Sequence, residues 1–124
     1  MPMTFYDREG KAVAYAEDDV HIYLYSGRPV GYIVEGSLYS FPGRHAGTIR
    51  SGWLRDHEGK IALFTDEATA SESAGSLSLP EKQTKPRKLL KKTKPPKGRR
   101  ELPPTRPEDA DSWSELSVET LFRG

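Results

Sequence analysis

HIYLYSGRPVGYI, residues 21–33, is an apolar run rich in Tyr, a break at Ser26-Gly27-Arg28-Pro29, and a second apolar run that begins Val30-Gly31-Tyr32. Aromatic and β-branched residues on both sides of a glycine-containing turn are the signal of a β-hairpin, because Gly takes φ > 0 without a Cβ clash. The alternation His21-Ile22-Tyr23-Leu24-Tyr25 fits the two-residue period of a strand better than the 3.6-residue period of a helix.

The unit recurs. Gly10, Gly27, Gly43 and Gly59 stand 17, 16 and 16 residues apart, and each is followed by a base: Lys11, Arg28, Arg44 and Lys60. Before each lies an apolar stretch, Thr4-Phe5-Tyr6, Ile22 to Tyr25, Leu38 to Phe41, and Trp53-Leu54. After each comes a pair ending in a small residue, Val13-Ala14, Val30-Gly31, Ala46-Gly47 and Ile61-Ala62. Self-similarity at a fixed period marks a repeat architecture. A period near 16 holds one hairpin, so the sequence predicts an all-β domain of four consecutive β-hairpins with pseudo-four-fold symmetry. The near-identical DREGK (7–11) and DHEGK (56–60) become the turns of hairpins one and four, expected to be one residue longer before the glycine than the middle two. Second strands meeting near a central axis would account for Ala14, Gly31, Gly47 and Ala62, because overpacking there is destabilising.

These four units, typified by Tyr25 to Ile33, resemble the bacterial four-fold β-flower family. The resemblance runs over residues 4–66 and implies a fold of four symmetric hairpins; it implies no activity, and the tail lies outside it.

Composition divides the chain into a β-hairpin repeat domain (1–68), a basic, Pro-rich linker (69–107) and a C-terminal docking helix (108–124). All six Tyr and three of the four Phe precede residue 65. Between residues 68 and 110 the large apolar side chains are five leucines, too few to offset the entropy of ordering. Seven of the ten prolines fall between residues 71 and 107, so the linker is expected to be extended and disordered. The net charge of +1 conceals a block of +9 over residues 81–100, flanked by −4 on either side. There is no Cys, and no run approaches the roughly 20 apolar residues of a membrane span. The expectation is a cytoplasmic protein without membrane insertion; the composition leaves homo-oligomerisation undetermined.

The last segment, DSWSELSVETLFRG, shows a capping-box pattern at Ser112 and Glu115, preceded by Pro107, Glu108, Asp109 and Asp111. A helix of about ten residues is unstable alone, so a surface must receive it. Trp113, Leu116, Val118, Leu121 and Phe122 are the candidate partner-binding residues. The leading expectation is a non-catalytic adaptor or accessory subunit that docks on a larger protein assembly through them; removing residues 108–124 should then leave the β-domain folded.

The alternative is an RNA-, DNA- or ribonucleoprotein-associated protein. Lys85, Arg87, Lys88, Lys91, Lys92, Lys94, Lys97, Arg99 and Arg100 form a basic track without interleaved aromatic residues, suited to phosphates rather than to bases. His21, His45 and His57 lie in different repeats without metal-ligand spacing. The turn acids Asp7, Glu9, Asp56 and Glu58 read as solvated turn residues, and GRHAGTIRSG lacks the spacing of a P-loop. No catalytic residue, metal site or cofactor is expected, and the chain is not expected to be an enzyme.

Overall fold

A computed structural model describes residues 3–68, 80–104 and 112–123. Eight strands follow in order: β1 (Met3–Tyr6), β2 (Ala12–Ala16), β3 (His21–Leu24), β4 (Pro29–Val34), β5 (Ser37–Ser40), β6 (His45–Arg50), β7 (Trp53–Arg55) and β8 (Ile61–Phe64). Each pairs antiparallel with the next, and β8 returns to β1 through Tyr6 and Phe64, so the four hairpins close into a barrel. Closure leaves no free sheet edge among these strands.

The repeat is visible atom by atom. Asp7, Leu24, Ser40 and Asp56 each donate their backbone N–H to the carbonyl of the residue four ahead, at 2.9 Å in every case. Gly10, Gly27, Gly43 and Gly59 each donate back to the first residue of the turn, with φ of 80, 92, 106 and 80°. All four turns therefore have the same length, and the extra residue expected in the outer two is absent. What distinguishes DREGK and DHEGK is the aspartate: Asp7 Oδ1 accepts from the N–H of Glu9 and Lys11, and Asp56 Oδ1 from those of Glu58 and Lys60. These carboxylates complete the turn's hydrogen bonding, an Asx arrangement. Between hairpins, Glu35-Gly36 and Ser51-Gly52 turn with both φ positive, as two-residue I′ connections require.

The barrel interior is built in layers of four. Phe5, Ile22, Leu38 and Leu54, one from the first strand of each unit, are fully buried, and Ala14, Val30, Ala46 and Ala62 from the second strands lie in the same core. The small residues are needed for a reason other than second strands meeting on the axis. A Cβ on Gly47 would lie 2.2 Å from the Arg55 carbonyl oxygen, and one on Gly31 would lie 2.3 Å from that of Tyr39 and 2.7 Å from the Phe122 ring. The crowding comes from the first strand of the next hairpin and, at Gly31, from the C-terminal segment.

That segment docks on its own barrel. Ser112 and Ser114 exchange backbone hydrogen bonds with Ile61, a parallel bridge that places Trp113 edge-on to Trp53 and Phe64 beside the closing seam. Helix α1 is only Val118–Leu121, capped by Ser117, whose Oγ accepts from the Thr120 N–H. The expected ten-residue helix beginning at Ser112 is thus replaced by a strand-like bridge and one helical turn, because Ile61 satisfies the Ser112 carbonyl and the Ser114 N–H. Val118, Leu121 and Phe122 join the barrel core, whereas Leu116 is exposed. Pro107, Glu108, Asp109 and Asp111, expected to lead into the helix, lie outside the described residues.

Candidate nucleic-acid interface

The basic segment has no secondary structure of its own, yet residues 80–104 are laid along the barrel as a strap. The N–H groups of Gln83, Lys92 and Glu101 donate to the carbonyls of Gly10, Gly27 and Gly43 at 2.8, 2.9 and 2.8 Å. The N–H groups of Leu89 and Gly98 donate to Tyr25 and Phe41 at 2.8 and 2.7 Å. Both series advance nine residues along the strap for each hairpin along the barrel. The turn glycines are what admit it: a Cβ at Gly10, Gly27 or Gly43 would lie 1.9, 2.0 or 2.1 Å from the carbonyl oxygen of Glu81, Leu90 or Arg99. The sequence led to a disordered linker over 69–107; its described part, 80–104, is extended, and its partners are fixed by backbone bonds that composition does not record.

The strap lies over aromatic seams. Where one hairpin meets the next, Tyr15 stacks on Tyr23, Tyr32 on Tyr39, and, at the closing seam, Phe64 on Tyr6, with ring centroids 6.0, 5.8 and 5.3 Å apart. At the remaining seam Thr48 faces Arg55, whose guanidinium donates to the Gly59 carbonyl at 2.6 Å. Strap cations sit on the rings in the same nine-residue register. Lys82, Lys91 and Arg100 lie 5.4, 5.3 and 5.8 Å from the rings of Tyr6, Tyr23 and Tyr39. Lys88 and Lys97 lie 4.5 and 4.6 Å from those of Tyr15 and Tyr32. Such contacts are worth about 0.5–1 kcal/mol each at exposed sites.

Ion pairs reinforce the inward set. Lys82 Nζ reaches Asp66 at 2.8 Å, and Lys88 and Lys91 both reach Glu17, the former at 3.0 Å. Hydrogen bonds from Lys91 and Lys88 hold the Glu17 carboxyl below its ordinary range, the bond from Lys82 does the same for Asp66, and Lys91 is raised by Glu17.

The nine basic residues singled out by the sequence thereby divide in two. Lys88, Lys91, Lys97 and Arg100 face the barrel. The side chains of Lys85, Arg87, Lys92, Lys94 and Arg99 are exposed and make no hydrogen bond, ion pair or ring contact among the described residues. The sequence reading missed Lys82 and the tyrosines that anchor the strap. A signal was present: Lys82-Gln83-Thr84-Lys85-Pro86 returns as Lys91-Lys92-Thr93-Lys94-Pro95, nine residues on.

Of the candidate partner-binding residues, Val118, Leu121 and Phe122 are 7, 6 and 6% exposed, Trp113 is half-buried, and Leu116 alone is exposed, at 42%. The histidines are not as separate as their repeats suggested. His45, buried at the start of β6, and His57, exposed in the fourth turn, stack 5.1 Å apart with Nδ1 and Nε2 at 2.9 Å. Burial and the neighbouring His57 push the His45 imidazole below its usual value against the opposing pull of Glu101, which accepts the His45 backbone N–H. No group of three or more His, Cys, Asp or Glu among the described residues is arranged to hold a metal. A cleft of about 480 Å³ between the middle hairpins and α1 is lined by Arg28, Ser40, Glu119, Thr120 and Arg123, among others, and contains no histidine.

The sequence profile of a family described as 4-fold beta flower protein matches residues 3–122, which takes in the strap and the C-terminal segment together with the hairpins. The chain belongs to the 4-fold beta flower family. The match extends well past residue 66, so the flower, in this chain, comprises petals, strap and terminal plug rather than the hairpins alone. No curated protein and no solved structure matches the chain. No helix among the flower's described residues is long and apolar enough to cross a membrane.

Proposed function

We propose that the protein is a non-catalytic binding module that presents its strap cations to the phosphate backbone of a nucleic acid, and that it works in the cytoplasm. The single observation that carries this is the division of the strap: one set of cations is spent on tyrosine rings and carboxylates, which holds the backbone in place, and leaves Lys85, Arg87, Lys92, Lys94 and Arg99 facing solvent. Fixing a row of cations before binding removes part of the ordering cost that a flexible basic tail meets. Neutralising phosphates with such a row releases condensed counterions, so affinity falls as salt rises. The rings are already covered by strap cations, so base stacking contributes little and recognition is through the backbone.

Docking on a larger assembly through Trp113, Leu116, Val118, Leu121 and Phe122 requires most of these side chains to leave the barrel that buries them. The outward strap cations need no rearrangement, which is why they are favoured. The test is fluorescence anisotropy with a labelled mixed-sequence oligonucleotide in about 50 mM salt. The full chain should bind, and replacing Lys85, Arg87, Lys92, Lys94 and Arg99 together by Gln should abolish binding without altering the melting temperature. Absence of binding by the native chain, or undiminished binding by that variant, refutes the proposal.

A further inference from the structure

The path of the strap selects among nucleic acids. It touches the turn of hairpin one through Gln83, of hairpin two through Leu89 and Lys92, and of hairpin three through Gly98 and Glu101. These hairpins are consecutive around a closed barrel, so the strap follows the outside of a convex surface around about half of it. The outward cations are distributed along this arc: Lys85 and Arg87 between the first two turns, Lys92 at the second and Lys94 just past it, Arg99 at the third.

A straight rod laid against a convex arc touches it at one place. Duplex DNA has a persistence length of about 150 bp, and even a smooth bend of 40–90° over 20–30 bp costs roughly 1–6 kcal/mol. Following a small barrel's rim demands far tighter curvature than that. A duplex therefore reaches one cluster, two or three cations. A single strand bends at every nucleotide and can lie along all five. Resting on the proposed nucleic-acid function, we infer that the ligand is single-stranded DNA or RNA, bound along the strap without base preference. The lack of base preference follows from the seams: Tyr6, Tyr15, Tyr23, Tyr32 and Tyr39 are buried and carry strap cations on their rings, so bases find no free ring there.

The experiment compares, with the full chain, a labelled 20-nucleotide single strand of mixed sequence, the same strand annealed to its complement, and a labelled oligo(dT) of equal length, between 50 and 200 mM salt. Five phosphates neutralised on a single strand give a log–log slope of about −3.5, a loss of roughly 100-fold over this range; two on a duplex give about −1.8, roughly tenfold. The expected result is tighter binding and the steeper slope for both single strands, with oligo(dT) and mixed sequence alike. Duplex binding as tight as the single strand, or with the steeper slope, overturns the single-strand inference while leaving the strap as the binding element, provided the five-fold Gln variant weakens it. A strong preference between the two single strands overturns the absence of base readout. If neither duplex nor single strand binds, or the variant binds both as well as the native chain, the underlying function falls too.

Discussion

Gly27→Ala should lift the strap from the second hairpin. The new Cβ would stand 2.0 Å from the Leu90 carbonyl oxygen and 2.8 Å from its carbon, both backbone atoms that no side-chain rotation can move aside. Gly27 also has φ of 92°, and a left-handed conformation costs an L-residue about 1–2 kcal/mol by itself. Gly36→Ala isolates that backbone cost, since Gly36 has φ of 78° and an added Cβ would meet only the Ile49 oxygen, at 3.5 Å. The difference between the two variants is then the strap's hold on this turn. It comprises the bonds from Leu89 to Tyr25 and from Lys92 to Gly27, together with Lys88 and Lys91 over Tyr15 and Tyr23. At about 0.5–1.5 kcal/mol per hydrogen bond and 0.5–1 per cation–π contact, the excess is roughly 2–5 kcal/mol. For a domain of this size that lowers the melting temperature by on the order of 10 °C more in Gly27→Ala than in Gly36→Ala. Limited trypsin digestion supplies the local readout, with faster cleavage at Lys88 and Lys91 in Gly27→Ala only. Equal melting temperatures and equal cleavage in the two variants would refute the strap's role in the fold.

Other outcomes follow from the same contacts. Gly47→Ala places a Cβ 2.2 Å from the Arg55 oxygen within the barrel wall and should lose about 3 kcal/mol or more through overpacking, measured by chemical denaturation; a loss below that of Gly36→Ala would contradict the packing argument. Phe122→Ala removes a buried ring that packs against Gly31 and should cost about 3–5 kcal/mol, so removing residues 108–124 should destabilise the barrel rather than leave it intact; an unchanged melting temperature after that removal would show that the docked segment contributes nothing. His45 has its imidazole depressed by burial, so the unfolded chain binds the proton first as pH falls; its contribution is complete above the ordinary histidine value near 6.5 and declines as pH drops through and below it. Melting temperature should therefore fall between pH 7.5 and 5 more steeply in the native protein than in His45→Gln, and identical profiles would remove His45 from the account. Asp18 behaves likewise at lower pH: burial raises its carboxyl, but hydrogen bonds from the His21 ring and from the N–H groups of His21 and Val20 outweigh it and hold it well below the usual range, so the stability it adds above about pH 4 should fade on further acidification and be missing from Asp18→Asn.

How much of this was legible beforehand depended on the range of the signal. The spacing of Gly10, Gly27, Gly43 and Gly59 was enough to place four hairpins, because a turn's φ requirement acts on one residue and leaves its mark there. Asp7 and Asp56 could be assigned to turns for the same reason, their hydrogen bonds reaching only two and four residues ahead. The pairing of His45 with His57 was not legible, because it joins β6 to the fourth turn across a register that local patterns do not encode. Trp113 and Phe122 announced that something must cover them but not what, since an apolar side chain is indifferent to whether its cover belongs to its own chain.

By itself the sequence determined the all-β class, the number of hairpins, the position of the four glycines at the hairpin turns and the existence of a dense basic tract, all of which follow from conformational preferences and periods within a few residues. Only the tertiary structure decided that the basic tract is a strap and which of its cations face outward. A segment rich in Pro and Lys has too few apolar residues to order itself; what orders it is a row of turn carbonyls and tyrosine faces that come into line only once the barrel has closed. The docking of Phe122 against Gly31 was settled in the same way, by a space left open where a residue ninety-one positions earlier has no side chain.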